Sequence, residues 1–492
     1  MYYPDKKEFI KLSSKGNVIP VYKEIFADFD TPLSAFMKID DKRHSFLLES
    51  VEGAEKISRY SFLSSDPAAV IEAKGGTVRI KKKNGTTIIK SSNPLDEIAG
   101  FMKQFSFVEV KGLPRFCGGL VGYIGYDIVR FIEKLPLPRK DDLHVPDLRL
   151  MLTDTLLVFD HIRHTIKIVS NAFIPASSKA PASDFYDKSV SKIEVLARRL
   201  RAPFKNNFSS MDKPAPAAEI SSNISKSDFK KSVLKAKEYI RSGDIIQVVL
   251  SQRFQAEYDK NPINLYRALR SINPSPYMFY LSFKDFKLIG SSPEIMVRKE
   301  NAIARVRPIA GTRPRGRDEK QDAEFEKSLL RDKKENAEHL MLVDLGRNDL
   351  GRVCRPGSVR VNDFMVIEKY SHVMHIVSDC SGVLLPPADM TRLLRASFPA
   401  GTVTGAPKIR AMQIINELEG AKRGPYAGCV GYLSFSGNLD VCITIRTILL
   451  QGSKAYVQVG AGIVADSIPE KEYQETVNKA KAMFKAISMA NT

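Results

Sequence analysis

Two Glu-x-x-Glu pairs carry the plainest chemistry in the chain: Glu335 with Glu338, and Glu472 with Glu475. On a helix, residues three apart share a face. Residues 321–345 have strong helical character, and Leu342 and Leu345 continue close to the Glu335/Glu338 stripe, which turns those carboxylates inward. A second helix is predicted to begin near Ser467, with Ser467 and Glu470 as a capping box. Two facing helices would present four carboxylates to one point. Buried together, they repel unless protonated or bound to a cation. Mg²⁺ suits such a set, because it takes hard oxygen ligands and keeps positions for water or substrate. The same spacing is common on solvated helix faces, so the pairs alone leave both readings open.

Three further side chains have types that could do chemistry. Glu294 follows Ser292 and Pro293, a context that by itself reads as a surface turn. His375 by itself reads as structural. Arg446 closes a run, residues 441–446, with strand alternation: Val441, Ile443 and Ile445 face one way, and Cys442, Thr444 and Arg446 the other. A guanidinium fork suits a carboxylate. The cluster Gly118-Gly119-x-x-Gly122-x-x-Gly125 is not G-x-G-x-x-G, and no acidic residue is placed to meet a ribose. It reads as close backbone packing.

The elements that must position these residues occupy a chain of 492 residues, 43% of them hydrophobic, enough for a sizeable core. Residues 1–200 mix strand-like stretches with a few helical patterns. Residues 201–224, rich in Pro, Ser, Ala and Asn, read as a linker. Residues 225–492 open with a helix whose apolar face is Phe229, Val233, Ala236 and Ile240, stopped by Gly243. No apolar run is long enough to span a membrane, and the first residues lack a secretory leader's apolar stretch. The five cysteines show no C-x-x-C spacing, which suits a reducing cytoplasm better than a disulfide framework or a zinc site. The net charge of +19 is spread over the chain. Its densest run, Lys81–Lys83, precedes Asn84-Gly85 and reads as a hairpin with solvated lysines. No nucleic-acid-binding motif accompanies the charge.

Several strings, in order, resemble the chorismate-utilising enzymes: Pro308-Ile-Ala-Gly-Thr-Arg-Pro-Arg-Gly316, then Glu338-His-Leu-Met-Leu-Val-Asp-Leu-Gly-Arg-Asn-Asp349, then Phe398-Pro-Ala-Gly-Thr-Val-Thr-Gly-Ala-Pro-Lys408, and Gly460-Ala-Gly462. The match covers about residues 247–479 and is weaker before them. It implies an α+β fold, two packed antiparallel β-sheets flanked by helices, with residues 225–492 as the chorismate-binding catalytic region and residues 1–200 carrying regulatory elements. By resemblance, Glu338 and Glu475 are the Mg²⁺ ligands, with Glu335 and Glu472 behind them. Glu294 matches the general acid that protonates the leaving C4 hydroxyl. His375 matches the histidine linked to pyruvate elimination, and Thr402 a residue beside the reacting ring. Tyr426 and Arg446 match chorismate contacts, helped by Gly311, Thr312 and the amides of Gly460, Ala461 and Gly462.

Two positions bear on which reaction. Water-activating relatives carry Lys at the position of Gln247, and relatives that aminate at C4 carry Lys at the position of Ala310. Both departures leave ammonia attacking at C2, the pattern of the anthranilate-forming members. The resemblance further implies a separate glutamine amidotransferase chain that supplies ammonia, in a heterotetramer of two large and two small subunits. It also implies feedback inhibition by tryptophan, bound by Glu49, Ser50, Pro276, Tyr277 and Met278. The alternatives are an aminodeoxychorismate-forming member, and a basic binding protein that keeps the fold without catalysis.

Overall fold

The computed structural model describes residues 1–51, 59–136, 140–203, 219–370 and 373–491. The expected linker, 201–224, lies mostly outside them; at its described ends, Arg201 closes a helix and Ser221–Ser222 pairs with the strand Gln247–Glu257. The described strands form two antiparallel sheets of 12 strands each, with helices on their outer faces. The fold is therefore α+β, two packed antiparallel sheets flanked by helices.

Each sheet takes strands from both ends of the chain. Ser45–Glu49 pairs with Tyr277–Ser282 in one sheet, and Gly119–Ile124 pairs with Cys429–Ser434 in the other. Alternation of side chains decides what fills each layer. Phe279 and Leu281 meet Val121, Tyr123, Val430 and Tyr432 between the sheets. Met278 and Tyr280 point the opposite way, toward the helices Pro262–Ile272 and Pro469–Ala490. Leu120, Ile124, Val441 and Ile443 face out from the second sheet into a third cluster.

The glycine cluster packs backbone against backbone. A Cβ on Gly122 would sit 2.1 Å from the Arg149 carbonyl, so only glycine fits that crossing. The lysine run ends one arm of a hairpin, as expected, but the two-residue turn is Lys83-Asn84 and not Asn84-Gly85: Thr77–Lys82 pairs with Gly85–Lys90 and Lys82 stands opposite Gly85.

Three local expectations are corrected. Residues 321–345 do not make one helix: Glu319–Arg331 ends at Asp332, which then caps Lys333–Gly351 by accepting from Lys334 N and Glu335 N. The second glutamate helix, Pro469–Ala490, has no Ser467/Glu470 capping box. Ile468 is its cap residue, and Pro469 supplies the preset φ of its first turn. Glu470 instead pairs with Lys226 and Lys230. The strand expected to run to Arg446 stops at Ile443, and Arg446 sits in the left-handed region at φ 48°.

Candidate active site

The strand Ile309–Pro314 pairs with Val373–Val383, and the register slips between Ala310 and Thr312. Gly311 is the extra residue, at φ 69°, a conformation glycine adopts without a Cβ penalty. The bulge turns the Gly311 carbonyl toward His375, whose Nδ1 lies 2.9 Å from it and 3.0 Å from Thr312 Oγ1. A carbonyl only accepts, so Nδ1 carries the proton and Nε2 is left with its lone pair. Burial, and after it the nearby Arg446 cation, holds the His375 pKa below its ordinary value, against an opposing pull from the Gly311 bond. Burial and that cation both favour the neutral ring at pH 7. Ala310, half-buried, precedes the bulge. His372 lies outside the described residues.

Glu294 stands between two strands of different sheets, Phe286–Ser292 and Ile295–Glu300. Its backbone is tied to the far strand: Ile443 N donates to Glu294 O at 3.0 Å, and Ser292 Oγ donates to Ile443 O at 2.7 Å. Glu294 as a whole is 8% exposed. Burial pushes its pKa up to about 8, with Thr402, Arg446 and Lys479 pulling weakly the other way. Thr402, in the short turn Gly401–Val403, has a buried hydroxyl close enough to act on Glu294 but outside hydrogen-bond geometry. Glu294 and Thr402 line one cavity of about 390 Å³ together with Leu342, Leu345 and Asp349. Leu342 and Leu345 thus carry their helix face toward the site, as their stripe predicted.

Arg446 acts on both Glu294 and His375, so the three converge. Its left-handed backbone lets its carbonyl accept from Ser291 N at 3.1 Å, and Nη1 reaches Asn273 Oδ1 at 3.4 Å. The strand Lys454–Ile463 pairs with Gln247–Glu257 through Ile463, but with Thr447–Gln451 only up to Val457. Beyond Val457, one edge of Gly460, Ala461 and Gly462 has no neighbouring strand among the described residues. A Cβ on Gly460 would meet the Tyr426 hydroxyl at 2.7 Å, and one on Gly462 would meet Gln247 Nε2 at 2.6 Å. Missing side chains therefore make the space in which Tyr426 and Gln247 face this edge.

The helix Lys333–Gly351 carries Glu335 and Glu338, both half-buried. Gln247 Nε2 donates to Glu338 Oε1 at 3.2 Å, and Arg313 Nη1 lies 3.6 Å from Glu335 Oε1. Burial and then the Glu338 charge raise the Glu335 pKa. Burial raises that of Glu472, Ser467 opposes the rise, and Glu475 adds to it. Lys334 acts on both Glu335 and Glu472, which places the two helix starts side by side. The four carboxylates do not close on one point. Glu475 is exposed and pairs with Lys479 at 2.8 Å, and no group of three acidic, His or Cys side chains gathers among the described residues. As a donor set they suit a hard dication: all oxygen, with like charges inside each pair that a cation would relieve.

Lys479 was not singled out from the sequence, although a Lys four residues after Glu475 on a helix is a recognisable pair. It also donates to Gly460 O at 3.1 Å and acts on Glu294.

A second cavity, of about 520 Å³, is lined by Glu49, Ser50, Pro276, Tyr277 and Met278 together. The Ser50 hydroxyl is buried there without a partner. Glu49 is buried, its pKa raised by that burial and pulled back by Arg270 and by the hydrogen bond from Tyr266. Asp440 floors the cavity, accepting from Tyr277 Oη at 2.8 Å and Arg298 Nε at 3.0 Å. Arg298 and Asp440 escaped sequence reasoning, since nothing local marks an ion pair between residues 142 positions apart.

The sequence profile of the chorismate binding enzyme family matches residues 43–485. Anthranilate synthase component 1 of Acetivibrio thermocellus is 50% identical over 100% of this chain and 99% of its own. Its counterpart from Aquifex aeolicus is 48% identical over 98% and 97%. Among solved structures, anthranilate synthase component I from Streptococcus pneumoniae superposes with a TM-score of 0.78 at 37% identity, over 94% of this chain and 99% of that one. The menaquinone-specific isochorismate synthase of Escherichia coli shares the fold, with a TM-score of 0.69 at 20% identity over 98% of each chain. Fold and site together define a chorismate binding enzyme. The chain belongs to that family, and within it to the anthranilate synthase component 1 group.

Proposed function

We propose that this chain aminates chorismate at C2 with ammonia and then eliminates pyruvate, giving anthranilate, as the large subunit of an anthranilate synthase. The observation that carries this reading is Glu294, a buried carboxyl with a pKa of about 8. It is protonated at pH 7 and so can donate to the C4 hydroxyl as that group leaves. Arg446 and Tyr426 hold the substrate's anionic and ring portions, with the free edge of Gly460–Gly462 supplying backbone groups. Neutral His375, with Nε2 free, accepts the C2 proton as the enolpyruvyl C–O bond breaks and the ring becomes aromatic. Mg²⁺ held by Glu338 and Glu475, with Glu335 and Glu472 behind them, would neutralise and orient a substrate carboxylate. Gln247 cannot deprotonate water and Ala310 cannot act as a nucleophile, which favours C2 amination over hydroxylation or C4 amination.

Ammonia would come from a glutamine amidotransferase subunit, two of each chain forming a heterotetramer in the cytoplasm. The cavity around Ser50 would take tryptophan as an inhibitor, its ammonium meeting Glu49. What supports this is the convergence of five residues from two distant segments on one cavity with an unsatisfied hydroxyl.

The deciding experiment incubates the protein with chorismate, Mg²⁺ and ammonium. Fluorescent anthranilate is expected, abolished by chelation and restored by Mg²⁺. A product that needs a separate lyase to become 4-aminobenzoate would point to the aminodeoxychorismate-forming branch. Salt-dependent nucleic-acid binding without turnover would instead point to a basic binding protein.

A further inference from the structure

Among the described residues Arg423 is the largest fully buried side chain, 1% exposed. A buried guanidinium is costly unless its donors are all engaged. Here Nε donates to Glu419 Oε2 at 2.8 Å, and Nη2 to Glu419 Oε1, a fork-to-carboxylate pair closing the end of the helix Lys408–Glu419. The remaining donors leave that helix. Nη1 reaches Val403 O at 2.8 Å, and Nη2 reaches Val249 O at 2.8 Å. The guanidinium also lies 4.7 Å from the Tyr126 ring centre and 5.5 Å from that of Tyr426.

The segments it joins matter. Val403 follows Thr402, Val249 shares a strand with Gln247, and Tyr426 faces Gly460. Two more contacts tighten the same assembly: Glu419 Oε1 accepts from Ser251 N at 2.8 Å, and Val249 N donates to Thr404 O at 2.8 Å. Behind Arg423 the loop is pinned again, because Gly424 N donates to Asp127 Oδ2 at 2.8 Å. One rigid planar cation thus touches three pieces of backbone or ring, each carrying a residue at the substrate site.

We infer that Arg423 is a positioning residue: its guanidinium sets Tyr426, Thr402 and Gln247 at fixed separations, and so fixes how the substrate seats. The inference rests on the functional reading above, in which Tyr426 holds chorismate, Gln247 bears on which group attacks, and Thr402 shares a cavity with the acid Glu294. Lysine cannot replace Arg423, since an ammonium is a point charge and cannot span two carbonyls and a carboxylate in one plane.

The test is Arg423→Lys, with amide exchange and steady-state kinetics measured on the full chain. The expected result is a KM for chorismate raised about tenfold, kcat changed less than threefold, and faster exchange confined to residues 400–406 and 424–428. A KM within twofold of wild type overturns the inference, whatever happens to Tm. If Arg423→Lys does not fold, the double variant Glu419→Met/Arg423→Met, which leaves no unpaired buried charge, carries the same criterion. Failure of both to fold assigns Arg423 to stability alone and also overturns the inference. A wild-type chain that does not turn over chorismate sinks the functional reading instead. The exchange pattern then decides the tether by itself: loosening confined to those two segments supports it, and unchanged or global exchange refutes it.

Discussion

Glu294 shows what one residue's surroundings can do to its chemistry. In Ser292-Pro293-Glu294 nothing local separates a catalytic acid from a surface turn. Its buried place between two sheets makes the difference, and only the resemblance of distant strings pointed there. The shift has two consequences of definite sign. The acid works while protonated, so kcat/KM should fall as pH rises, with an alkaline midpoint near 8; a flat profile from pH 7 to 9 would count against the role. A carboxyl whose folded pKa is raised from 4.5 also costs stability once the unfolded chain has released its proton. That cost grows between about pH 4.5 and 8. Glu294→Gln should therefore raise Tm relative to wild type at pH 8.5 more than at pH 4, while lowering turnover on the order of 10²-fold or more. At the other cavity, Ser50→Phe should fill space beside Pro276 and Met278. Tryptophan inhibition should weaken while kcat stays near wild type, and an unchanged inhibition curve would refute the regulatory reading.

At the scale of elements, periodicity made much of the structure legible, and it failed where the backbone departs from regularity. The faces of Lys226–Arg241 and of residues 441–443 came out as the pattern predicted, because apolar burial sets both. Arg446 did not, since a left-handed turn at a non-glycine residue leaves no mark on a period-two pattern. The helix break at Asp332 was similarly hidden: a cap residue between two good helices reads as one longer helix. The glutamates' helices were legible, but not that Lys479 would take Glu475 or Gln247 would reach Glu338. Those contacts depend on how the helices abut the sheet. The Gly311 bulge is the element most open to test. Alanine there must hold φ near 69°, costing roughly 1–2 kcal/mol, with its Cβ 3.0 Å from Leu329 Cδ1. Gly311→Ala should lower Tm by a few degrees and reduce turnover more than stability, because the carbonyl that fixes the His375 tautomer moves. Loss of stability with full activity would show that the bulge does not serve the histidine.

At the scale of the whole molecule, the interleaving of both sheets makes independent halves implausible as folding units. Chains cut to residues 1–200 and 225–492 should each be insoluble or molten, and the intact protein should unfold in one cooperative transition. Two resolved transitions by calorimetry would contradict this. The sheets themselves were expected from the resemblance, but the pairing of early strands with late ones was not. Strand order is a long-range property, and alternation along one strand does not name its neighbour.

That strand order also sets a clock. Val121 stands opposite Tyr432 in the paired strand, and that partner emerges more than 300 residues later. At about 5–20 residues per second of synthesis, the Gly119–Ile124 strand waits roughly 15–60 s on the ribosome with an open edge. During that interval it is a ready surface for the wrong strand. Yield of soluble protein should depend on elongation rate and on holding chaperones far more than the stability of the finished fold would suggest.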